Sequence, residues 1–332
     1  MHRVLAGIFT ALAMTAVAAD PTGYKLEKTI SIPRDGGWDY LTVDPAGRRV
    51  YVSHATRVEV LDADSGELTG QVADTAGVHG IAVAADLGRG FTSNGRADTV
   101  TVFDLKTLKP LASVATGKNP DSILYDPASK RVFAFNGGGK SATAIDAADA
   151  KVAGTIALGG KPEGVVADGA GHVFVNIEDT AEVLKLDSKE LKVLERWSVA
   201  PAKLPVSLAF DPATSRLFVG CRSKELVVLD AATGKAVATL PIGDRVDAGE
   251  FDRETKLAFC SCGDGTVAVV RQDSADKYTA LESIKTRQGA KTMALDPKTH
   301  RLFLPAVEYK AGAGGGRPAA VPGSFVVLMY GK

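Results

Sequence analysis

The sequence has little of what the best-marked enzyme and membrane-protein classes need. Its 332 residues include three cysteines, too few for a disulfide framework. The 39 basic and 39 acidic side chains balance, so we expect neither strong nucleic-acid binding nor attraction to a membrane surface. Beyond the N-terminus, no apolar run is long enough to be a membrane span. There is no G-x-S-x-G, CxxCH, Ser-His-Asp spacing or nucleotide-binding fingerprint.

The first 18 residues have the three parts of a secretory signal peptide. Residues 1–3 are short and positively charged, residues 4–14 are apolar, and Ala16-Val17-Ala18 fits a cleavage site of small residues. We therefore predict a signal peptide over residues 1–18 and a mature chain that begins near Ala19. The protein is expected in the periplasm or outside the cell.

A unit of about 40 residues recurs seven times along the mature chain. The first strands of the copies read WDYLTVD, VHGIAVA, PDSILYD, PEGVVAD, PVSLAFD, VDAGEFD and AKTMALD. They end at Asp44, Ala84, Asp126, Asp168, Asp211, Asp252 and Asp296, with spacings of 40, 42, 42, 43, 41 and 44 residues. A period of roughly 40–45 residues, with four short strands per repeat, is typical of a β-propeller. The alternating pattern of the strands excludes an α-solenoid.

The two ends of the chain complete each other. The seventh copy lacks a fourth strand, and residues 24–32 (YKLEKTISI) resemble a fourth strand without the first three. The predicted fold is therefore all-β: a seven-bladed β-propeller with four antiparallel strands per blade, closed by the N-terminal strand in blade seven. Residues 19–332 form a single domain. The Gly-rich residues 308–323 are predicted to be a flexible surface loop that could fold over the channel mouth.

Two segments resemble a known repeat. The YVTN-type repeat is resembled by residues 51–54 (YVSH), which are followed by residues 58–62 (VEVLD). It is also resembled by residues 91–94 (FTSN), which are followed by residues 100–104 (VTVFD). The chain resembles the exported YVTN-repeat propellers of the YncE family over nearly all of its mature length. The resemblance implies a seven-bladed propeller in the periplasm and brings no catalytic motif with it.

Ionisable residues recur five positions before the end of each first strand. This column reads Asp39, His79, Asp121, Glu163, Val206, Asp247 and Lys291. Because the innermost strand of each blade starts there, these side chains should surround the channel mouth, where they could hold a cation or a basic ligand. The predicted ligand-binding set is Trp38, Asp39, His79, Asp121, Glu163, Arg245, Asp247 and Lys291. The alternative is a structural role at strand ends. The aspartates that end the first strands are expected to form Asx turns on the opposite face.

Histidine and cysteine give two weaker signals. His54 and His79, together with Asp39 or Asp121, could bind a divalent metal, although exposed loop histidines are the alternative. No other cofactor is predicted. A Cys221–Cys262 disulfide could form in an oxidising compartment; the alternative is buried free thiols, because equivalent points on adjacent blades are usually too far apart.

These patterns favour a binding protein over an enzyme. The leading hypothesis is an exported, monomeric propeller scaffold that binds a small ligand or a periplasmic protein partner at the channel mouth. The alternative is a lactonase-like or metal-dependent hydrolase on the same face, in which one carboxylate serves as general base.

Overall fold

Each repeat of the sequence folds into one antiparallel sheet. The computed structural model describes residues 21–310 and 319–332, so the predicted signal peptide and residues 311–318 of the Gly-rich segment lie outside the described residues. Within these ranges the strands form seven blades, each a sheet of four antiparallel strands, with one further short strand in blade six. The predicted seven-bladed β-propeller is confirmed. No helix in the described ranges is long and apolar enough to cross a membrane.

The strands follow the repeats in chain order, after an N-terminal strand β1 (Lys25–Ser31). Blade one contains β2 (Leu41–Asp44), β3 (Arg49–His54), β4 (Arg57–Asp62) and β5 (Leu68–Val72). Blade two contains β6 (Val78–Ala84), a 3-10 turn (Ala85–Leu87), β7 (Arg89–Asn94), β8 (Thr99–Asp104) and β9 (Pro110–Ala115). Blade three contains β10 (Pro120–Asp126), β11 (Arg131–Asn136), β12 (Ser141–Asp146) and β13 (Val152–Ala157). Blade four contains β14 (Pro162–Ala167), β15 (His172–Ile177), β16 (Glu182–Asp187) and β17 (Lys192–Ser198).

The remaining three blades complete the ring. Blade five contains β18 (Pro205–Asp211), β19 (Arg216–Cys221), β20 (Glu225–Asp230) and β21 (Ala236–Pro241). Blade six contains β22 (Val246–Asp252), β23 (Leu257–Cys262), β24 (Thr266–Ser274), β25 (Lys277–Ala280) and β26 (Ile284–Lys285). Blade seven contains β27 (Ala294–Leu295), β28 (Leu302–Ala306) and β31 (Val326–Gly331), with β1 as its outer strand. A short pair, β29 (Tyr309–Lys310) and β30 (Ala319–Ala320), joins the two ends of the Gly-rich segment.

The N-terminal strand closes the ring as its sequence predicts. β1 runs antiparallel to β31, and Ile30 pairs with Val327. Ile30 is buried in the core between blades seven and one, whereas Leu26 on the same strand is half exposed. The first strand of the described residues therefore pairs with the last one.

Apolar residues alternate between two cores because both faces of each blade are covered. Val50 and Val52 of β3 pack toward blade seven, while Tyr51 between them packs toward blade two, where its ring lies 5.8 Å from Phe103. In the described ranges, seven such apolar clusters occur, each between two neighbouring blades. Since a strand has a side-chain period of two, a continuous apolar run supplies both interfaces.

The aspartates of the far face are structural, as predicted. The Asp44 carboxylate accepts hydrogen bonds from the backbone N–H groups of Ala46 and Gly47, each at 3.0 Å. In blade seven the Asp296 carboxylate accepts hydrogen bonds from the Lys298 N–H at 3.1 Å and the Thr299 hydroxyl at 2.7 Å, and it also pairs at 2.8 Å with Arg48 of blade one. These carboxylates therefore shape turns and join blades on the side opposite the predicted binding face.

Candidate binding site at the channel mouth

Hydroxyl groups from neighbouring blades hold the backbone at the start of several innermost strands. The Thr292 hydroxyl of blade seven donates to the Asp39 backbone carbonyl at 2.6 Å. The Ser122 hydroxyl of blade three donates to the Glu163 backbone carbonyl, also at 2.6 Å. The Tyr40 N–H donates to the His79 carbonyl at 3.1 Å. These hydrogen bonds hold the backbone that carries the mouth side chains, and they do not involve the side chains themselves.

One part of the mouth brings together an imidazole and two carboxylates from three blades. His79 Nδ1 lies 2.7 Å from Asp39 Oδ2 and 3.6 Å from Asp121 Oδ1. The hydrogen bond to Asp39 raises the pKa of His79 against the opposing effect of burial, and the charges of Asp121 and Asp39 add to the rise. Burial raises the pKa of Asp121. This group is called the Asp–His–Asp cluster below.

The other part is a chain of ion pairs that crosses blades four to seven. Lys161 donates to Glu163 at 2.5 Å and to Glu178 at 2.6 Å. Arg222 then donates to Glu178 at 2.7 Å and to Asp247 at 2.9 Å. Lys291 is bonded to Asp247, and the charge of Asp39 also acts on Lys291. Together with the Asp–His–Asp cluster, the ion pairs form a ring of charge around the channel, called the mouth ring below.

The mouth ring contains more negative than positive groups. Five carboxylates (Asp39, Asp121, Glu163, Glu178 and Asp247) face three permanent cations (Lys161, Arg222 and Lys291). Burial, followed by the charge of the neighbouring Asp121, raises the pKa of Glu163. Glu178 behaves differently: burial is the largest single influence and opposes ionisation, but the hydrogen bond and charge of Lys161 and the charge of Arg222 together outweigh it and lower the pKa of Glu178. The deficit of positive charge therefore lies near Asp121 and Glu163.

Tyr40 occupies the channel directly behind the mouth ring. It lines a central cavity of about 140 Å³ together with Asp247 and Glu250. Its pKa is raised well above the ordinary value, first by burial and then by the charges of Asp247, Asp39, Glu163 and Asp121. The equivalent residues of the other blades are small: Gly80, Ser122, Gly164, Ser207, Ala248 and Thr292. Tyr40 is thus the one bulky group in its column, and it forms the floor of the mouth.

The comparisons with known proteins follow the propeller architecture. A family model described as outer membrane protein assembly factor BamB matches residues 54–294, well over half of the chain. The chain belongs to this family. No curated protein matches the BamB-like chain at a significant level.

Solved structures confirm the fold of this BamB-like chain. A chain of Kuenenia stuttgartiensis hydrazine synthase is similar with a TM-score of 0.72 and 16% identity, covering 94% of this chain and 99% of that one. A chain from the crystal structure of a mitotic checkpoint complex is similar with a TM-score of 0.74 and 16% identity, covering 100% and 99%. At these identities the likeness shows the architecture and no shared activity.

The structure brings together six of the eight residues predicted to bind a ligand. Asp39, His79, Asp121, Glu163, Asp247 and Lys291 all belong to the mouth ring. Trp38 instead stacks on Phe325 at a centroid distance of 5.4 Å, so this ring face is already covered. Arg245 is exposed and donates to the carbonyl of Gly263 at 2.6 Å, outside the ion pairs of the mouth ring.

The structure does not place His54 with the other residues predicted to bind a metal. His54 is fully buried, its ring lies 4.7 Å from that of Phe325, and its Nδ1 faces Glu59 at 3.3 Å. It is not part of the Asp–His–Asp cluster, which is the group of potential metal ligands in the described ranges. His54 lies at the end of β3, where its side chain enters the core between blades rather than the channel.

The Cys221–Cys262 disulfide is not formed. Cys221, Cys260 and Cys262 are all buried free thiols. The Cys221 and Cys262 thiols face the backbone carbonyls of Val219 and Cys260 in their own strands. Burial raises the pKa of each thiol, which is typical of inert structural cysteine.

Four residues of the site cannot be found by examining only the position five residues before the end of each first strand. Lys161 comes from the turn before β14, and Glu178 and Arg222 follow the ends of β15 and β19. A second column, one residue after each second strand, would have shown Glu178 and Arg222 as charged residues among alanine, glycine and valine. Tyr40 could have been found as the exception in a column of small residues.

Proposed function

We propose that this chain is an exported, monomeric binding propeller of the YVTN-repeat type within the BamB-like family, acting in the periplasm. Support comes from the signal-peptide pattern of residues 1–18, the two YVTN-like segments, and the family's description as an outer-membrane assembly factor. The ligand or protein partner docks on the mouth ring. In this proposal the propeller is a scaffold, and the chemistry of recognition lies in the ring.

The observation that carries this proposal is the excess of carboxylates in a recess. Asp39 and Asp121 both face one imidazole, and their side chains are 18% and 16% exposed, so an incoming group can reach them. The Asp121 carboxylate receives no hydrogen bond from the described residues, and His79 Nδ1 lies 3.6 Å from it. A positively charged group on the ligand, such as a lysine or arginine side chain of a partner protein, would supply the missing charge.

A charged peptide tests this proposal directly. A fluorescently labelled Lys- and Arg-rich decapeptide should bind the purified protein, and an acidic decapeptide of equal length should not. Asp121→Asn or Glu163→Gln should each weaken the binding about tenfold, as expected when a charged hydrogen bond of roughly 1.5–3 kcal/mol is lost. Glu195→Gln, an exposed carboxylate of the outer strand β17, is the matched control.

The salt dependence and the Glu195→Gln control distinguish specific binding at the mouth ring from general electrostatic attraction of the peptide to the protein surface. Binding at the mouth should survive physiological salt, because the carboxylates are partly buried and weakly screened. If Glu195→Gln weakens binding as much as Asp121→Asn, or if both peptides bind alike, the mouth is not the binding site.

A second candidate is a lactonase-like or metal-dependent hydrolase on the same face. It is favoured by the raised pKa values of Asp121 and Glu163, because a carboxylate that accepts a proton nearer to neutral pH suits general-base attack of water on an ester. A panel of lactones, assayed with and without added Zn²⁺ or Mn²⁺, tests it. Turnover that disappears in Glu163→Gln would support it, and no turnover under either condition would remove it.

A further inference from the structure

We propose that Asp39, His79 and Asp121 form a binding site for a divalent first-row transition ion such as Zn²⁺ or Mn²⁺. The inference deepens the proposed function, on which it rests, by naming one positively charged group that the mouth accepts. The three side chains come from blades one, two and three. One potential ligand atom from each lies within 4.8 Å of the others.

The spacing of these atoms suits a metal ion between them. Two ligands that each bind an ion at about 2.0–2.2 Å lie roughly 3–3.5 Å apart. His79 Nδ1 is 2.7 Å from Asp39 Oδ2 and 3.6 Å from Asp121 Oδ1, which brackets that range. An ion could therefore enter through small side-chain rotations, without movement of the blades.

The ligand types indicate the class of metal. Calcium and magnesium prefer oxygen ligands alone, whereas one imidazole nitrogen with two carboxylate oxygens suits zinc or manganese. Three protein ligands leave at least one coordination position for water or an incoming ligand. The His79 side chain is 30% exposed, so this position can open toward the mouth.

The backbone around the cluster is already fixed. The carbonyl groups of Asp39 and His79 accept hydrogen bonds from Thr292 and from the Tyr40 N–H, and that of Asp121 accepts one from Ser93. Gly95 lies against the far edge of the imidazole, and a Cβ at this position would be 2.6 Å from His79 Nε2. The site is thus preorganised, and Gly95 serves as a positioning residue for His79.

Two other histidine–carboxylate pairs provide an internal comparison. His172 Nδ1 lies 2.7 Å from Asp168 Oδ2 in a far-face turn, the same distance as His79 from Asp39, but no second carboxylate of the described residues forms an ion pair with this nitrogen. His300 has two carboxylates near it, Asp252 and Glu254, but they approach opposite nitrogens of the ring and cannot share one ion with it. Of these three histidines, His79 is the one whose Nδ1 atom faces two carboxylates, those of Asp39 and Asp121.

Isothermal titration of the chelator-treated full chain with ZnCl₂, MnCl₂ and CaCl₂ tests the site. We expect one Zn²⁺ or Mn²⁺ per chain and weaker or no binding of Ca²⁺. His79→Ala and Asp121→Asn should each lower the affinity at least about tenfold, since each removes a ligand. His172→Ala is the matched control and should bind as the wild type does. Urea unfolding of every variant shows whether it is folded.

Substitutions of two glycines test whether Gly95 positions His79 for metal binding. Gly95→Ala should weaken Zn²⁺ binding by displacing His79, whereas Gly37→Ala, where an added Cβ meets nothing within 4 Å, should not. The inference is overturned if the wild type binds neither Zn²⁺ nor Mn²⁺, if His79→Ala binds normally, or if His172→Ala loses binding.

The metal site and the proposed function can fail separately. If the metal-free protein binds the basic peptide but no ion, the metal inference fails and the docking proposal stands. If both hold, Zn²⁺ should weaken peptide binding in the wild type and leave it unchanged in His79→Ala. If Zn²⁺ binds and the peptide does not, the docking proposal fails alone.

Discussion

Replacing Glu250 with glutamine should stabilise the protein above neutral pH. Glu250 lies in β22, three residues after Asp247, and lines the same central cavity. In the described part of the chain, no cationic side chain pairs with its carboxyl group. Burial raises its pKa to about 7, and the Leu295 N–H only partly opposes this.

The sign and size of the effect follow from this pKa. A folded-state pKa above the unfolded value means that folding favours the protonated carboxyl. The cost of ionisation is therefore absent below the ordinary pKa of 4.5, grows as the pH rises, and is complete above about 7. This rise in the pKa corresponds to a loss of at most about 3 kcal/mol in the free energy of unfolding. Because water has partial access to the cavity, we expect a loss of about 1–3 kcal/mol.

Urea unfolding at pH 5 and pH 8.5 measures this difference. The free energy of unfolding of Glu250→Gln should nearly equal that of the wild type at pH 5 and exceed it by about 1–3 kcal/mol at pH 8.5. The exposed-carboxylate variant Glu195→Gln should follow the wild type within about 0.5 kcal/mol at both values. If the curves of Glu250→Gln and wild type stay parallel from pH 5 to 8.5, the carboxyl titrates normally and the reasoning is wrong.

Three further predictions concern the ring of blades and its cysteines. Ile30→Ala should lower the free energy of unfolding by about 2–4 kcal/mol and Leu26→Ala by less than about 0.5, because Ile30 is buried at the closure and Leu26 is half exposed; equal effects in urea unfolding would contradict this. Arg48→Met should cost about 1–3 kcal/mol in the same assay, since it leaves the fully buried Asp296 carboxylate without its cation; an unchanged midpoint would refute it. A thiol reagent should detect no cysteine in the native protein and three after unfolding, and fewer than three would show a disulfide.

The fold could be predicted from the sequence because its determinants are local and repeated. Six of the seven first strands end in an aspartate that shapes the following turn, and the second and third strands carry apolar residues on both faces. The closure needed no side-chain geometry, only the observation that blade seven lacks an outer strand and that the N-terminus offers one. The pairing of Ile30 with Val327 confirms that inference.

The binding site could be predicted only in part because side-chain direction is not a property of strand position. The column of strand starts found Asp39, His79 and Asp121, since the backbone places them at the mouth in every blade. Trp38 and His54 lie near the same face, but both rings pack against Phe325. That contact depends on blade seven being adjacent to blade one, which no single repeat reveals.

The way the mouth is fixed explains how its chemistry can differ from the repeats that carry it. The bonds that hold the innermost strands run from Thr292 and Ser122 to backbone carbonyl groups, so they do not depend on which side chain Asp39 or Glu163 carries. Where blade five has the apolar Val206, Arg222, the residue after β19 in the same blade, supplies a charge to the mouth ring. These backbone contacts therefore do not involve the side chains at the mouth. It follows that substitutions in the mouth ring should change binding while leaving cooperative unfolding intact, whereas substitutions of the hydroxyl groups should displace the ring as a whole.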